Sequence, residues 1–325
     1  MRPVIRHIAL AQLLLLSTAM APVHGQNWPA RPVRIISPFA PGGGNDTLSR
    51  LIAESLSTPA RLGQQVIVEN RPGANTIVGT ELVVKSPPDG HTLIVLPNAI
   101  TINPHLYRKL PFDVTRDLAP ITQIGTSPMI LVVHPSFPAR TTRELLAIAR
   151  ARPNDITNGS SGNGSLGHLI GALMDITAGT KLVHVPYKGT ALAVTDLLGG
   201  QIVLSFASAI TVMPQVKAGR LRAIAVTGPR RSPALPDIPA IAETVPGFSA
   251  ELWYAMFAPA GTPGDIINRL NRELREVLSQ PDLREKLSAQ GVETQTSTPE
   301  EMARLIAADI RKWEKVVRTT GTRID

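Results

Sequence analysis

The strongest constraint in this chain is an alternation. Short runs rich in β-branched and aliphatic residues at 33–37, 66–69, 92–96, 129–134, 182–185, 202–206 and 221–227 read as strands. Patterns of helical period stand between several of them, at 46–57, 142–150, 166–178 and 190–198. Strand and helix taking turns through short loops argue for parallel sheets covered on both faces. Proline and glycine, 29 and 25 of them, punctuate nearly every junction.

The C-terminal part departs from this rhythm and is mainly helical. Thr262-Pro263 opens a helix to about residue 279, with Ile266, Ile267, Leu270, Leu274, Val277 and Leu278 at helical spacing. Thr298-Pro299-Glu300-Glu301 is a capping box with proline in the first turn, and it starts a helix through Met302, Leu305, Ile306, Ile310, Trp313 and Val317. Trp313 sits on that apolar stripe, so packing is its expected role. At 325 residues, without an internal repeat or a low-complexity linker, the expectation is two α/β lobes that exchange chain through short crossovers.

Residues 1–25 are a different kind of text: Arg2 and Arg6, an apolar run from Ile8 to Leu16, then small residues, the layout of a secretory signal peptide. The run is too short to span a bilayer, which disfavours a membrane anchor. Cleavage fits after Ala21 or after Gly25, and the second is preferred because the first leaves Pro22 just past the cut. Export and a periplasmic location are therefore expected. With no cysteine, disulfides, thiolate metal sites and cysteine nucleophiles are excluded.

The whole chain carries 33 Lys and Arg against 25 Asp and Glu, and the two signal arginines reduce the mature excess to +6. The segment 126–246 holds 11 basic and 6 acidic residues, +5 of that excess, without a run of like charge. Nucleic-acid binding needs a basic face, usually with aromatic platforms. Aromatic residues make up 4% of this chain, so no nucleic-acid partner is expected.

Two glycine-rich loops carry the chemistry. Residues 38–46, Pro-Phe-Ala-Pro-Gly-Gly-Gly-Asn-Asp, follow the first strand and run straight into a helix. The glycines bare backbone N–H groups, and Asn45 or Asp46 can cap the helix whose positive dipole end points to the same place. Such a loop binds an anion, although a plain tight turn would use the same glycines. It lacks the Lys-Ser or Lys-Thr of a nucleotide P-loop. Residues 158–168, Asn-Gly-Ser-Ser-Gly-Asn-Gly-Ser-Leu-Gly-His, repeat the design before the helix at 166–178. Gly162, Gly164 and Gly167 satisfy GxGxxG, but no acid stands at the end of the next strand, His184-Val185-Pro186-Tyr187-Lys188, as a dinucleotide site would want. The run also fails the GxSxG elbow, because Asn163 occupies the glycine position next to Ser161 and Ser165 alike. Histidines show no i, i+4 pair, and no pair of acids has a spacing that compels acid–base work, so neither a metal nor a catalytic set is expected, nor any cofactor.

With those loops in place, the chain resembles the tripartite tricarboxylate transporter substrate-binding proteins, the Bug or TctC-like family. The resemblance runs through Val68-Glu69-Asn70-Arg71-Pro72-Gly73-Ala74, Pro88-Asp89-Gly90-His91-Thr92-Leu93, His184-Val185-Pro186-Tyr187-Lys188-Gly189 and Asp196-Leu197-Leu198-Gly199-Gly200-Gln201. It continues in Lys217-Ala218-Gly219-Arg220-Leu221-Arg222-Ala223 and Phe257-Ala258-Pro259-Ala260-Gly261-Thr262-Pro263 and covers essentially the whole mature chain.

The resemblance implies a type II-like periplasmic binding protein of α/β class, a Venus flytrap with two crossovers between its lobes. Lobe 1 would be 26–125 plus 247–325 and lobe 2 would be 126–246. It implies capture of a small organic carboxylate, by a monomer, for the membrane components of a tripartite tricarboxylate-type transporter. A sensor that presents its bound state to a membrane kinase is the alternative. Carried over by position, Phe39, Gly42, Gly43 and Asp46 would bind from lobe 1 and Ser160, Ser161, Gly164, Ser165 and His168 from lobe 2. Tyr187 would line the cleft, while Asn98 and Ser208 would reach the variable end of the ligand. Ala207 and Leu192 replace the Asp and Pro of many members, and Ala207 argues against an amino-acid ligand. The segment 68–79 reads as scaffold, with its Glu and Arg suited to an ion pair.

Overall fold

The computed structural model describes residues 28–39, 41–42, 44–187, 189–289 and 291–324. The expected signal peptide, and Gly43 of the first loop, lie outside the described residues.

Among the described residues eleven strands form two sheets. They are β1 (Val33–Ser37), β2 (Val66–Asn70), β3 (Thr92–Pro97), β4 (Leu118–Ser127), β5 (Met129–Val133), β6 (Thr157–Ser160), β7 (Val183–Pro186), β8 (Leu204–Ser208), β9 (Arg222–Val226), β10 (Leu252–Pro259) and β11 (Glu293–Thr294). One sheet runs β11-β4-β10-β3-β1-β2 and the other β7-β6-β8-β5-β9. The chain leaves the first sheet between Ser127 and Met129 and returns between Val226 and Leu252, so two crossovers join the lobes. Thr227 ties these crossovers together: its N–H donates to the Met129 carbonyl, and its carbonyl accepts from the Ala250 N–H.

The expected parallel pairing holds for β2-β1-β3 and β7-β6-β8. The strands at the crossovers instead pair antiparallel, β10 with β3 and β4, and β5 with β8 and β9. A strand that carries the chain from one sheet into the other needs no covering helix before it pairs. Neither β4 nor β10 stands out in the sequence as a strand, and both are long and antiparallel.

Helices cover both faces of each sheet. In lobe 1, α1 (Gly44–Leu56), α9 (Gly264–Ser279) and α10 (Pro281–Ala289) pack on one face, with Leu48, Ile52, Leu270 and Leu274 fully buried against Val33, Ile35 and Leu93. On the other face lie α2 (Ile77–Val84), α3 (Ala99–Leu106), the single turn α4 (Val114–Asp117) and the first half of α11 (Pro299–Thr320). In lobe 2, α5 (Thr142–Ala151) and α6 (Leu166–Ala178) cover one face, while α7 (Thr190–Leu198) and α8 (Ala209–Lys217) cover the other. The capping box at Thr298 forms, its hydroxyl accepting from the Glu301 N–H as the Glu301 carboxylate accepts from the Thr298 N–H.

The last long helix has a role that its sequence conceals. Met302 and Ile306 belong to the lobe 1 core, whereas Trp313, Val316 and Val317, about two to four turns further on, sit in the lobe 2 core beside Ile102 and Leu106 of α3. Trp313 is packing, as its stripe implied, but it packs against the other lobe. Helices α3 and α11 together span the seam between the two sheets.

Candidate functional site

The first loop is held from below. Asn45 is buried between strands, where its Oδ1 accepts from the Ser37 hydroxyl at 2.9 Å and its Nδ2 donates to the Val95 carbonyl at 3.2 Å. Asp46 accepts from the Gly42 N–H at 2.8 Å, Asn70 Nδ2 at 2.8 Å and Arg50 Nε at 3.0 Å. Burial pushes its carboxyl up, but the hydrogen bonds from Arg50, Gly42 and Asn70 together outweigh burial and hold it below the ordinary value. Asn70 also donates to the Phe39 carbonyl at 3.0 Å. Asp46 thus fastens the loop, with both oxygens engaged by the protein.

The second loop is held by two histidines. The Ser160 hydroxyl is 2.6 Å from His184 Nε2, and the Gly164 N–H donates to His168 Nδ1 at 3.1 Å. The two rings stack with centroids 3.7 Å apart and planes 9° from parallel. Ser165 caps α6, its hydroxyl oxygen accepting from the His168 N–H. Burial, and then the neighbouring His184, push His168 down to about 4, and burial lowers His184 as well.

Both rings therefore stay neutral where the unfolded chain, with histidine near 6.5, already takes up protons. Stability is fully present above about pH 6.5 and declines as pH falls toward 4, on the order of 2–3 kcal/mol from His168. Urea unfolding of wild type and His168→Gln at pH 4.5 and pH 7.5 checks this. The wild type is expected to lose more between the two pH values than the variant; equal losses would remove the histidine from the account.

Between the lobes lies a cavity of about 380 Å3. Four helix N-termini converge on it, two from each lobe: α1 at Gly44 and Asn45, α3 at Asn98 and Ala99, α6 at Ser165 and Leu166, and α7 at Thr190. Each brings free backbone N–H groups and the positive end of a helix dipole. Phe39, Ile102, Leu166 and Leu252 supply apolar walls, and Tyr254, Ser161 and Ser165 supply hydroxyls. Among the described residues no Lys, Arg, His, Asp or Glu lines this cavity. Burial pushes the Tyr254 hydroxyl up to about 12, so it stays protonated as a donor, and it has no hydrogen-bond partner among the described residues.

Of the site residues expected from the sequence, the structure brings Phe39, Asn98, Ser161, Gly164 and Ser165 to this cavity. Gly42, Asp46, Ser160 and His168 lie behind it and brace the two loops. Tyr187 donates to Asp196 at 2.6 Å, and Ser208 bonds Thr211 at the start of α8; neither lines the cavity. The segment 68–79 does hold its ion pair, Arg71 with Glu69, and Glu69 also pairs with Arg34 at 3.0 Å, but the segment also delivers Asn75 to the cavity wall. Ala74, Asn75 and Thr76 all have left-handed φ, at 43°, 47° and 79°. Three such non-glycine residues in a row are strained. A reciprocal pair restrains them: Asn75 Nδ2 donates to Asn103 Oδ1 at 2.7 Å, and Asn103 Nδ2 donates to the Asn75 carbonyl at 2.8 Å.

Thr190 was legible as the start of an expected helix, but not as a wall of the cavity. Asn75, Leu252 and Tyr254 carried no such signal; the last two lie on β10, a crossover strand that does not announce itself.

Known proteins share this architecture. The Bordetella pertussis protein BugT is 36% identical over 307 residues, 94% of this chain and 94% of its own. The solved structure of R. palustris Rpa4515 with adipate is 36% identical, covers 91% of this chain and 100% of its own and superposes with a TM-score of 0.78. MatC from Rhodopseudomonas palustris with bound malate is 30% identical, covers 89% of this chain and 100% of its own and gives 0.73. The profile of the tripartite tricarboxylate transporter family receptor matches residues 48–322, which take in most of α1, both crossovers and the whole second loop. A match of that extent, on two lobes whose seam is lined by helix N-termini, places this chain in the tripartite tricarboxylate transporter receptor family.

Proposed function

We propose that this chain is a periplasmic solute-binding protein that captures a small organic carboxylate between its lobes and delivers it to the membrane components of a tripartite tricarboxylate-type transporter. It works as a monomer and without a chemical step: the bodies 26–125 plus 247–325 and 126–246 close on the ligand and release it unchanged. The observation that carries this reading is the convergence of four helix N-termini on one cavity to which the described residues bring no charged side chain. Helix ends and hydroxyls stabilise an anion there, and among the described residues that line it no carboxylate stands ready to pair an ammonium group. The adipate and malate held by the two relatives fit the same chemistry. The Tyr254 hydroxyl and the apolar walls then read the body of the ligand beyond its carboxylate.

Titration calorimetry on unfolded, ligand-stripped and refolded protein tests this with mono-, di- and tricarboxylates, their uncharged amides and amino acids. At least one carboxylate is expected to bind, its amide and the amino acids not. Ser165→Ala is expected to weaken binding about tenfold, the loss of a hydrogen bond to a charged group. Folded protein that takes up no carboxylate from the panel, or that prefers the amides, would overturn the assignment.

A further inference from the structure

The segment that follows α11 does not run free. Gly321 ends the helix with a left-handed φ of 63°, and the chain turns back, with the Thr320 and Thr322 hydroxyls bonded at 2.8 Å. The Ile324 N–H then donates to the Leu106 carbonyl at 3.1 Å. Leu106 is the last residue of α3, so its carbonyl is one of those that a helix end leaves without an intrahelical partner.

The Ile324 side chain, 42% exposed, lies over the second ligand loop. A Cβ placed on Gly164 would stand 2.7 Å from Leu106 Cδ1 and 2.9 Å from Ile324 Cδ1. Gly164 faces the cavity on its other side, and its N–H is held by His168. One apolar pair, Leu106 from lobe 1 and Ile324 from the segment after α11, is therefore pressed onto the backbone of a lobe 2 ligand loop.

From this packing we infer that Ile324 is a positioning residue for the ligand. By closing over Gly164 it fixes the loop at 161–165, and with it the N-terminus of α6, at a set distance from the N-terminus of α3. Both helix ends border the cavity at Ser165 and Asn98. The inference rests on the reading that this cavity binds a carboxylate, but the clasp itself is made by residues of this chain alone. Its side chain touches no ligand; it acts through Gly164.

Hydrogen–deuterium exchange on ligand-free protein tests the clasp. Ile324→Asp is expected to speed exchange of the amides in 160–168 about tenfold, the loss of the apolar contact made by the covered part of this side chain, while Ile324→Leu keeps the wild-type rate. Strand β5 is expected to stay protected in both. Unchanged exchange at 160–168 in Ile324→Asp, or an equal rise in β5, would overturn the inference, the second because the residue would then be merely structural. Adipate affinity provides the functional arm: a fall of about tenfold in Ile324→Asp, restored in Ile324→Leu, is expected. An unchanged affinity alongside a loosened loop would also overturn it. Should the wild type bind no carboxylate at all, the proposed function fails, and the exchange result still decides whether the clasp exists.

Discussion

In Gly164→Ala protein, carboxylate affinity is expected to fall about a hundredfold while the fold survives. Gly164 has a φ of +73°, which costs an alanine about 1 kcal/mol. The added methyl would also lie 2.7 Å from Leu106 and 2.9 Å from Ile324, and overpacking of that kind costs about 1–3 kcal/mol. The loop can escape both penalties by moving toward the cavity, which breaks the Gly164 to His168 hydrogen bond and displaces the cap at Ser165. A loss of about 2–4 kcal/mol from the ligand-competent geometry corresponds to a factor of about 30 to 1,000 in affinity. Gly179→Ala is the matched control: its φ is +65°, but nothing lies within 4 Å of its Cβ position and it caps the far end of α6. Calorimetry should find that control close to wild type, with thermal midpoints for both variants within a few degrees of the parent. Wild-type affinity in Gly164→Ala would show that the loop tolerates displacement and that close backbone approach is not what binds.

The largest effect on stability is expected at Asp309, near the middle of α11. It is 4% exposed, accepts from the Thr101 hydroxyl at 2.8 Å and Trp253 Nε1 at 3.2 Å, and pairs with Lys312 Nζ at 2.6 Å. One carboxylate thus joins the C-terminal helix to the first turn of α3 and to strand β10, two of the elements that border the cavity. In Asp309→Ala the Trp253 N–H is left buried without an acceptor. Thr101 retains the Asn98 carbonyl, and Lys312, one-third exposed, can turn to water. Removing one member of a buried charged set costs about 3–5 kcal/mol, and the exposure of Lys312 places this case near the lower end, about 3 kcal/mol. Asp309→Asn, which keeps an acceptor but not the charge, should fall between. Guanidinium unfolding measures both, and an Asp309→Ala protein within 0.5 kcal/mol of wild type, inside the range of neutral surface changes, would show that the junction is not held here.

How legible the site was depends on which kind of order each residue obeys. The second glycine loop, the helix starts at Leu166 and Thr190 and the cap at Thr298 follow from local pattern, and the structure has them where the pattern put them. Asp46, Ser160 and His168 were legible as members of the loops, but not that hydrogen bonds turn them inward as braces. A short polar side chain beside a glycine can face a ligand or its own backbone, and only the position of the partner decides. For Asp46 that partner is Asn70, 24 residues away. For Ser160 it is His184, also 24 residues away.

By itself the sequence determined the alternation of strand and helix, the division into two α/β lobes and the presence of anion-seeking loops. Those properties depend on periodicity, turn chemistry and backbone donors within a few residues of one another. Only the tertiary structure decided that four helices aim at one cavity, that β10 brings Tyr254 and Leu252 into it, and that α11 ends in the core of the opposite lobe. Leu252 pairs with Ser127 and Tyr254 with Pro97, partners 125 and 157 positions away, and no local pattern records a pairing over that distance. The antiparallel strands at the crossovers are what convert two ordinary lobes into one binding site.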